Sequence, residues 1–445
     1  MDLRVLHIIL QDKLKKILII TYYWPPSGGA GVQRILKFCK HLPTLGYKPY
    51  VVTVDEKVAS YPSIDHTFEK DIPDEVEVAR TDTFEPFNIY SKLIGRKSIP
   101  TGFSNESDPG FMQKLTRFIR GNFFIPDARR GWVKYAIRQA GKIIEREKIS
   151  IVICTSPPHS VQLCGLYLKK KYGIKWIADL RDPWTDIYYY DEFFHMPFAK
   201  VADSILERKI LENSDAIVTV SNDLKRLFLS KSKKISASKL HVIPNGFDED
   251  DFAGIEGNPG KDFIISYTGT LADSYDPETF LHGLRRAIEK TKGIRIILHL
   301  IGNPSESVMK KAEEMSIADN VKFTPTVTHE KSVQLLMDSD ALLLLIPNVK
   351  NDKGILTGKL FEYLASRKPV IAVGPVDGDA ARILNECNAG KMFSRKEEDK
   401  IADYISELAQ RKLNNEDVSN DDESFKKYSR RAQAEELHKI IQDLN

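Results

Sequence analysis

Cysteine is scarce in this chain: Cys39, Cys154, Cys164 and Cys387 are its only four in 445 residues. None form a C-x-x-C pair, which argues against a structural zinc site and against a dithiol redox motif. Cys39 and Cys154 sit in apolar segments, as reduced thiols of a cytosolic protein do. Long hydrophobic runs are missing as well. No stretch of 18 apolar residues occurs, so no transmembrane helix is expected. The opening MDLRVLHIILQDKLKKILII has only a short apolar stretch at 5–10 and no small-residue cleavage site, and does not read as a signal peptide. No HExxH, EF-hand loop, kinase motif set, GxSxG or GxxxxGK[ST] is present. Without a basic–aromatic repeat or a zinc motif, nucleic acid is not an expected partner.

What is present is a soluble globular composition, 42% hydrophobic and 29% charged, in a length that suits two or three domains. The net charge of +3 is unevenly spread: residues 1–180 carry 28 Lys+Arg against 18 Asp+Glu. A basic N-terminal half suits an anionic partner, a membrane surface or a phosphorylated acceptor; an ordinary solvated basic face fits equally.

Strand and helix patterns alternate along nearly the whole chain, which implies parallel α/β sheets. The first series has short apolar runs at 16–21, 50–54, 151–155, 175–179 and 216–220, with helices over 32–42 and 111–120. Residues 55–125 are otherwise irregular. An acidic, Gly-rich stretch at 248–261 reads as a linker. A second series follows at 263–268, 295–301, 321–323, 341–346 and 369–373. The expected domains are 1–250 and 251–424, with a closing helix over 425–445 packed back on the first. Two doubly wound Rossmann-like halves imply a central cleft facing the C-terminal ends of both sheets.

Five segments at strand ends could carry chemistry. Gly354, Thr357 and Gly358 open onto a helix holding Lys359 and Glu362, ahead of the strand Pro369–Val373. A helix N-terminus with free N–H groups attracts anions, the lysine adds charge, and the glutamate can accept from sugar hydroxyls. An ordinary loop–helix–strand unit with a surface Lys/Glu pair fits the same residues. Ser27-Gly28-Gly29-Ala30-Gly31 lies between the first strand and helix; its glycines permit a close approach by phosphate or sugar, and a plain turn fits too. His159, in Thr155-Ser156-Pro157-Pro158-His159-Ser160, could orient an acceptor hydroxyl, or stack on the proline pair. In Ala178-Asp179-Leu180-Arg181-Asp182-Pro183-Trp184, Arg181 either holds a phosphate or forms a structural ion pair with Asp179 or Asp182. Asp127, Arg129 and Arg130 are candidates for the same place. Tyr267-Thr268-Gly269-Thr270-Leu271 offers N–H groups and a hydroxyl to a diphosphate. The acidic strings Asp248–Asp251 and Asp377-Gly378-Asp379 read as solvated loops rather than metal clusters.

In this order and spacing, YYWPPSGGAGVQR, TSPPHS, ADLRDPW, SDAIVTVSNDLK, HVIPNGFD, ISYTGTL, SDALLLLIP and TGKLFEYLASRKPVIAVGP resemble the retaining glycosyltransferases of family 4 with the GT-B fold. The resemblance runs from Lys16 to the final helix. It is nearest the bacterial surface-polysaccharide branch with a GK-x-x-E-Y element.

The resemblance implies a cytoplasmic, metal-independent hexosyltransferase, and the basic N-terminal half suits peripheral contact with the inner face of the plasma membrane. Its donor would be a nucleotide-diphosphate sugar, used as co-substrate with no cofactor, and its acceptor a glycan or polyprenyl-linked lipid. Glu362 would hold the ribose, and Thr324–Val327, including Thr326 and Val327, would line the base. Gly28, Gly29, Gly269, Thr270, Thr357 and Gly358 would approach the donor. His159, Arg181 and Lys359 would serve the reacting end, the two cations stabilising the leaving diphosphate. Gly354 stands where the family carries the first glutamate of E-x7-E, and Leu271-Ala272-Asp273 replaces the Arg and Lys that follow its GxL segment. A nucleotide-sugar epimerase and a non-catalytic scaffold of the same fold are the other readings.

Overall fold

The structure is a computed structural model that describes residues 14–85, 111–416 and 419–444. The opening stretch 5–10 and positions 86–110 of the irregular segment lie outside the described residues. The described chain divides by contacts into two units, one of residues 14–85, 111–244 and 430–444, the other of residues 245–429.

In unit 1 the order is β1 (Lys15–Ile20), α1 (Ala30–His41), β2 (Tyr47–Val54), β3 (Glu77–Thr81), α2 (Phe111–Phe123), α3 (Val133–Glu147), β4 (Ile151–Ser156), α4 (Gln162–Tyr172), β5 (Lys175–Leu180), α5 (Pro197–Asn213), β6 (Ala216–Thr219), α6 (Asn222–Ser230) and β7 (Leu240–Val242). The strands form one parallel sheet in the order β3-β2-β1-β4-β5-β6-β7. Its central strands are unbroken apolar runs because both faces are covered. Ile17, Ile19, Ile151 and Ile153 enter one core. Leu18, Ile20, Val152 and Cys154 enter the other. All four cysteines are free and buried.

Unit 2 contains β8 (Phe263–Leu271), α7 (Glu278–Lys290), β9 (Ile296–Pro304), α8 (Glu306–Glu314), β10 (Val321–Thr324), α9 (His329–Met337), β11 (Ala341–Leu345), α10 (Gly358–Ser366), β12 (Val370–Val373), α11 (Asp379–Glu386), β13 (Gly390–Phe393) and α12 (Glu398–Leu413). Its parallel sheet has the order β10-β9-β8-β11-β12-β13. Alternate residues of β11 again supply two cores, Leu343 and Leu345 on one face, Leu342 and Leu344 on the other.

The last helix, α13 (Arg430–Leu444), packs on α1 in unit 1 and adds Ala434, Leu437, Ile440 and Ile441 to its core. It begins later than the expected 425, because Ser424–Tyr428 is a 3-10 turn whose Phe425 and Tyr428 enter a core of unit 2.

The segment 248–261 is held to unit 2 rather than hanging as a linker: Asn258 N donates to Asp338 Oδ1 (3.0 Å) and Gln334 Nε2 to the Glu256 carbonyl (3.1 Å). The acidic strings are likewise less solvated than expected. Asp248 is buried and caps a turn by accepting from Asp250 N (3.2 Å). Asp379 is buried at the start of α11 and pairs with Arg382 (2.7 Å).

Candidate active site

Where the strand order of a parallel sheet reverses, the loops beyond the C-terminal strand ends diverge and leave room for a ligand. In unit 1 that point lies between β1 and β4, and in unit 2 between β8 and β11.

In unit 1 the chain leaves β1 and turns through the glycine loop into α1. Gly29 has φ 101°, in the region that favours glycine, and nothing lies within 4 Å of where a Cβ would stand. Gly28 is closed off by comparison. Its N–H donates to the Ser63 carbonyl (2.9 Å), and a Cβ there would meet Ser63 Oγ at 2.6 Å.

Arg181 follows β5. Its Nε donates to the Ser156 carbonyl at the end of β4 (3.0 Å). A Cβ on Gly31 would meet its Nη1 at 2.6 Å, so Gly31 is what lets the guanidinium lie against the first turn of α1. The expected ion pair with Asp179 does not form. Asp179 is instead bound by the fully buried Arg34 (3.1 Å) and by Thr155 Oγ1 (2.7 Å). Among the described residues Arg181 has no carboxylate within salt-bridge distance, Asp182 included, and burial lowers its pKa.

His159 opens the turn after β4. Its ring stacks on Trp184, with centroids 4.7 Å apart and planes at 12°. Its Nδ1 is buried without a hydrogen-bond partner. Burial, and then the charge of Arg181, pull its pKa down to about 3, so the ring is neutral at physiological pH. It can orient a hydroxyl but brings no charge.

Beside His159, within unit 1, lies a cavity of about 270 Å³. Tyr189, Trp184 and Phe193 give it flat apolar walls, while Arg120 and Asp182 add charge. Trp184 Nε1 donates to Asp203 Oδ1 (2.7 Å) and Tyr190 OH to Asp203 Oδ2 (3.0 Å), which fixes two of the aromatic walls. Burial raises the Asp203 carboxyl to about 6 against the pull of those bonds. Asp127 holds the His159 turn, accepting from Ser160 N (2.7 Å) and Ser160 Oγ (2.8 Å). Arg129 lines the cavity while paired with Glu85 (3.0 Å). Arg130 is exposed, bonds the Ile125 carbonyl (3.0 Å) and takes no part in the wall. None of Arg120, Trp184, Tyr190 and Asp203 is expected in the site from the sequence; Trp184 closes the ADLRDPW segment, whereas the other three come from helices and loops without a local signature.

In unit 2 the loops after β8 and β11 are tied together at the reversal. Asn348 N donates to the Ser274 carbonyl (2.7 Å). Arg395 fixes the loop after β11 through the Ile346 carbonyl (3.0 Å), the Pro347 carbonyl (3.1 Å) and Asp352 (3.1 Å). Lys359, in the first turn of α10, reaches back to β8. Its Nζ lies 3.8 Å from the Tyr267 ring centroid, and a Cβ on Gly269 would come within 3.6 Å of it. Gly269 has φ 96° and is exposed, as is Thr270.

Burial pulls the Lys359 pKa down to about 7, with Glu362 opposing. The lysine therefore stacks on Tyr267 rather than forming the surface pair with Glu362 allowed by the sequence. Thr357 is the N-cap of α10, but its side chain makes no capping bond and its Oγ1 is buried without a partner among the described residues. Lys359, Thr357, Gly358, Gly269 and Thr270 thus gather at one place, with Glu362 one turn further along α10.

Thr326 and Val327 stand elsewhere, in the loop from β10 to α9. No hydrogen bond joins them to that cluster among the described residues, and α9 packs on α10. The loop is anchored at Thr324, whose Oγ1 meets Nε2 of the buried His299 at 2.8 Å.

A model of Glycosyltransferase Family 4 matches residues 28–251, and a model of group 1 glycosyl transferases matches residues 262–411. The chain is similar to the D-inositol 3-phosphate glycosyltransferase of Mycolicibacterium smegmatis, 23% identical over 227 residues that make up 46% of this chain and 48% of that protein. The chain thus spans about half the length of the curated relatives it matches. Three solved structures resemble it over 97% of its length. Sucrose-phosphate synthase from Thermosynechococcus elongatus gives a TM-score of 0.58 at 12% identity, with 99% of that chain covered. A glycosyltransferase from Rickettsia africae gives 0.58 at 15%, with 98% covered. TarM of S. aureus gives 0.60 at 12%, with 99% covered. At these identities the likeness speaks to the fold, which is GT-B.

Proposed function

The chain belongs to Glycosyltransferase Family 4, and on that premise we propose that it is a retaining transferase. It moves a sugar from a nucleotide-diphosphate donor to a glycan or lipid-linked acceptor, in the assembly of a surface polysaccharide. The observation that carries this reading is the set around the start of α10: a buried lysine with no carboxylate bridge among the described residues, a buried threonine hydroxyl without a partner, and helix N–H groups, all at the reversal point of the second sheet.

A diphosphate leaving group develops negative charge as its bond to the anomeric carbon breaks. Lys359, the Thr357 hydroxyl and the N–H groups of α10 are suited to receive it. These groups supply the charge that a divalent ion provides elsewhere, so turnover is expected without added metal. The acceptor hydroxyl attacks on the face the diphosphate leaves, and its proton passes to a departing phosphate oxygen. Neutral His159 orients the acceptor or the reacting sugar. Glu362 is assigned to the ribose hydroxyls, Gly269, Thr270 and Gly358 to the diphosphate, Gly29 to a sugar, and Thr326 and Val327 to the base; Gly28, covered by Ser63, is given no ligand contact. The aromatic cavity beside His159 is assigned to the acceptor.

The test is thermal shift with a panel of nucleoside diphosphates and their sugars, with and without EDTA. A selective shift that survives EDTA supports the reading and names the base. No shift with any nucleotide overturns it. In the Glu362→Ala variant donor KM should rise at least tenfold, and an unchanged KM removes the ribose role.

A further inference from the structure

The cavity beside His159 holds more polar machinery than an apolar ligand needs. Asp203 anchors it: the bonds from Trp184 Nε1 and Tyr190 OH fix two rings, and each ring carries a stacked histidine. His159 lies on Trp184, and His195 lies on Tyr190 with centroids 4.0 Å apart and planes at 13°. Both histidines line the cavity, and each has its Nδ1 buried without a hydrogen-bond partner among the described residues. Burial lowers the pKa of both, so they are neutral rings that exchange hydrogen bonds rather than charge.

The charged groups on the wall divide into those the fold satisfies and those it does not. Asp127 accepts from Ser160, Asp203 accepts from the two rings, and Arg129 is paired with Glu85. Asp182 and Arg120 remain. Asp182 makes no hydrogen bond or ion pair among the described residues. Arg120 lies over the Phe193 ring at 5.4 Å, with no carboxylate in salt-bridge range among the described residues and Asp127 attracting it only from further away. Both Asp182 and Arg120 act electrostatically on Tyr189, which stands on the same wall. An aromatic face offsets part of the cost of holding a guanidinium away from water; a carboxylate or phosphate that meets its planar fork offsets far more.

We propose that this cavity takes a single sugar ring bearing an anionic group, and that Arg120 is the residue that selects the charge. The flat walls of Trp184, Tyr189 and Phe193 suit the C–H faces of a pyranose. Hydroxyls on the ring edge find an acceptor in Asp182 and either a donor or an acceptor in each histidine. The opposed charges set the orientation, with the anionic group at Arg120 and hydroxyl donors at Asp182. The volume of about 270 Å³ lies just under the ~300–1,000 Å³ of pockets that enclose drug-sized ligands, so one substituted ring fills it. Binding stands on the cavity alone; that the bound ring is the acceptor rests on the transferase reading.

The test reads Trp184, the one tryptophan among the described residues of the wall, by quenching of intrinsic fluorescence in the full chain. The titrants, added without any donor, are methyl glucoside and methyl galactoside, the corresponding uronides, the corresponding 6-phosphates, and inorganic phosphate alone. The charged glycosides should bind at least about tenfold more tightly than the neutral ones, and the uronide and phosphate arms tell the two anions apart. Trp184→Phe should abolish the signal. Arg120→Gln should lose the preference for charge, with the affinity for neutral glycosides and the melting temperature unchanged, and Arg120→Lys should keep part of the preference.

A parent that binds charged and neutral glycosides alike, or binds none of them, overturns the proposal without recourse to any variant. Inorganic phosphate that binds as tightly as the sugar phosphates would reveal a bare anion site and overturn the sugar. An Arg120→Gln variant that keeps the full preference overturns the role of Arg120, and a signal that survives Trp184→Phe removes the binding from this cavity. Nucleotide binding is read separately by thermal shift, so failure here leaves the transferase reading standing, and failure there leaves the sugar site standing.

Discussion

Lys359 is the residue whose environment departs furthest from its sequence expectation. An ammonium in the first turn of a helix is normally solvated and charged; here burial against Tyr267 brings its pKa to about 7. Two consequences follow in opposite directions. The folded pKa lies below the ordinary 10.5, so above pH 7 the unfolded chain binds the extra proton, and this group makes the ligand-free protein more stable as pH rises from about 7 towards 10.5. A bound diphosphate favours the protonated form. Affinity for a nucleoside diphosphate should therefore fall as pH rises above 7, by up to about tenfold per unit, and titration calorimetry at several pH values reads it. Lys359→Met should bind weakly and show a flat profile over that range; a slope kept by the variant would assign the titration to another group. Thr357 separates binding from folding more cleanly. Its hydroxyl has no partner among the described residues, so Thr357→Val should leave the melting temperature unchanged or raised. Donor affinity in that variant should drop by about 1 kcal/mol, roughly fivefold, as one neutral hydrogen bond is lost. A destabilised variant with unchanged affinity would show that the hydroxyl serves the fold.

At the scale of elements, α13 is the segment whose packing is the most direct to test. Its Leu437 is 1% exposed in the core shared with α1, and Leu437→Ala should cost about 2–5 kcal/mol, measured as a lower urea midpoint. A cost below about 0.5 kcal/mol would mean that the helix is not docked in solution. The same core explains which elements were legible in the sequence. KILII, YVVTV, IVICT and ALLLL read as strands because sheets covered on both faces demand unbroken apolar runs. β3, EVART, escaped notice because it is an edge strand with mostly partly exposed side chains, and β7 has only three residues. The site divides along similar lines. Glycines, His159, Arg181 and Lys359 stand just past strand ends, where parallel sheets place ligands, so position and chemistry coincide in one short segment. Asp203 on α5 and Arg120 on α2 reach the cavity through packing between distant segments, and nothing in their local sequence distinguishes them from surface charges. Asp179 misled for the same reason: its partner Arg34 lies 145 positions away, whereas Arg181 is its neighbour in sequence.

Across the whole molecule, each unit carries its own sheet with a core on both faces, and each sheet has its own reversal point. The chemistry at the two points differs in kind. Unit 2 gathers a titratable lysine, an orphan hydroxyl and a helix N-terminus, which are phosphate-binding parts. Unit 1 gathers aromatic walls, a neutral histidine and arginines, which are parts for a ring-shaped, partly apolar ligand. This division predicts where ligands protect the backbone. Hydrogen exchange on the full chain with a saturating nucleoside diphosphate should slow amides at 268–275 and 355–364, while those at 120–130 and 184–196 keep their rates. A ligand at one hundred times its Kd stabilises the native state by about 2.7 kcal/mol, so globally opening amides of β8 and β11 should slow by roughly a hundredfold. Nucleotide protection centred on 120–130 and 184–196 would place the diphosphate in the aromatic cavity, and the assignments of donor and acceptor to the two units would then have to be exchanged.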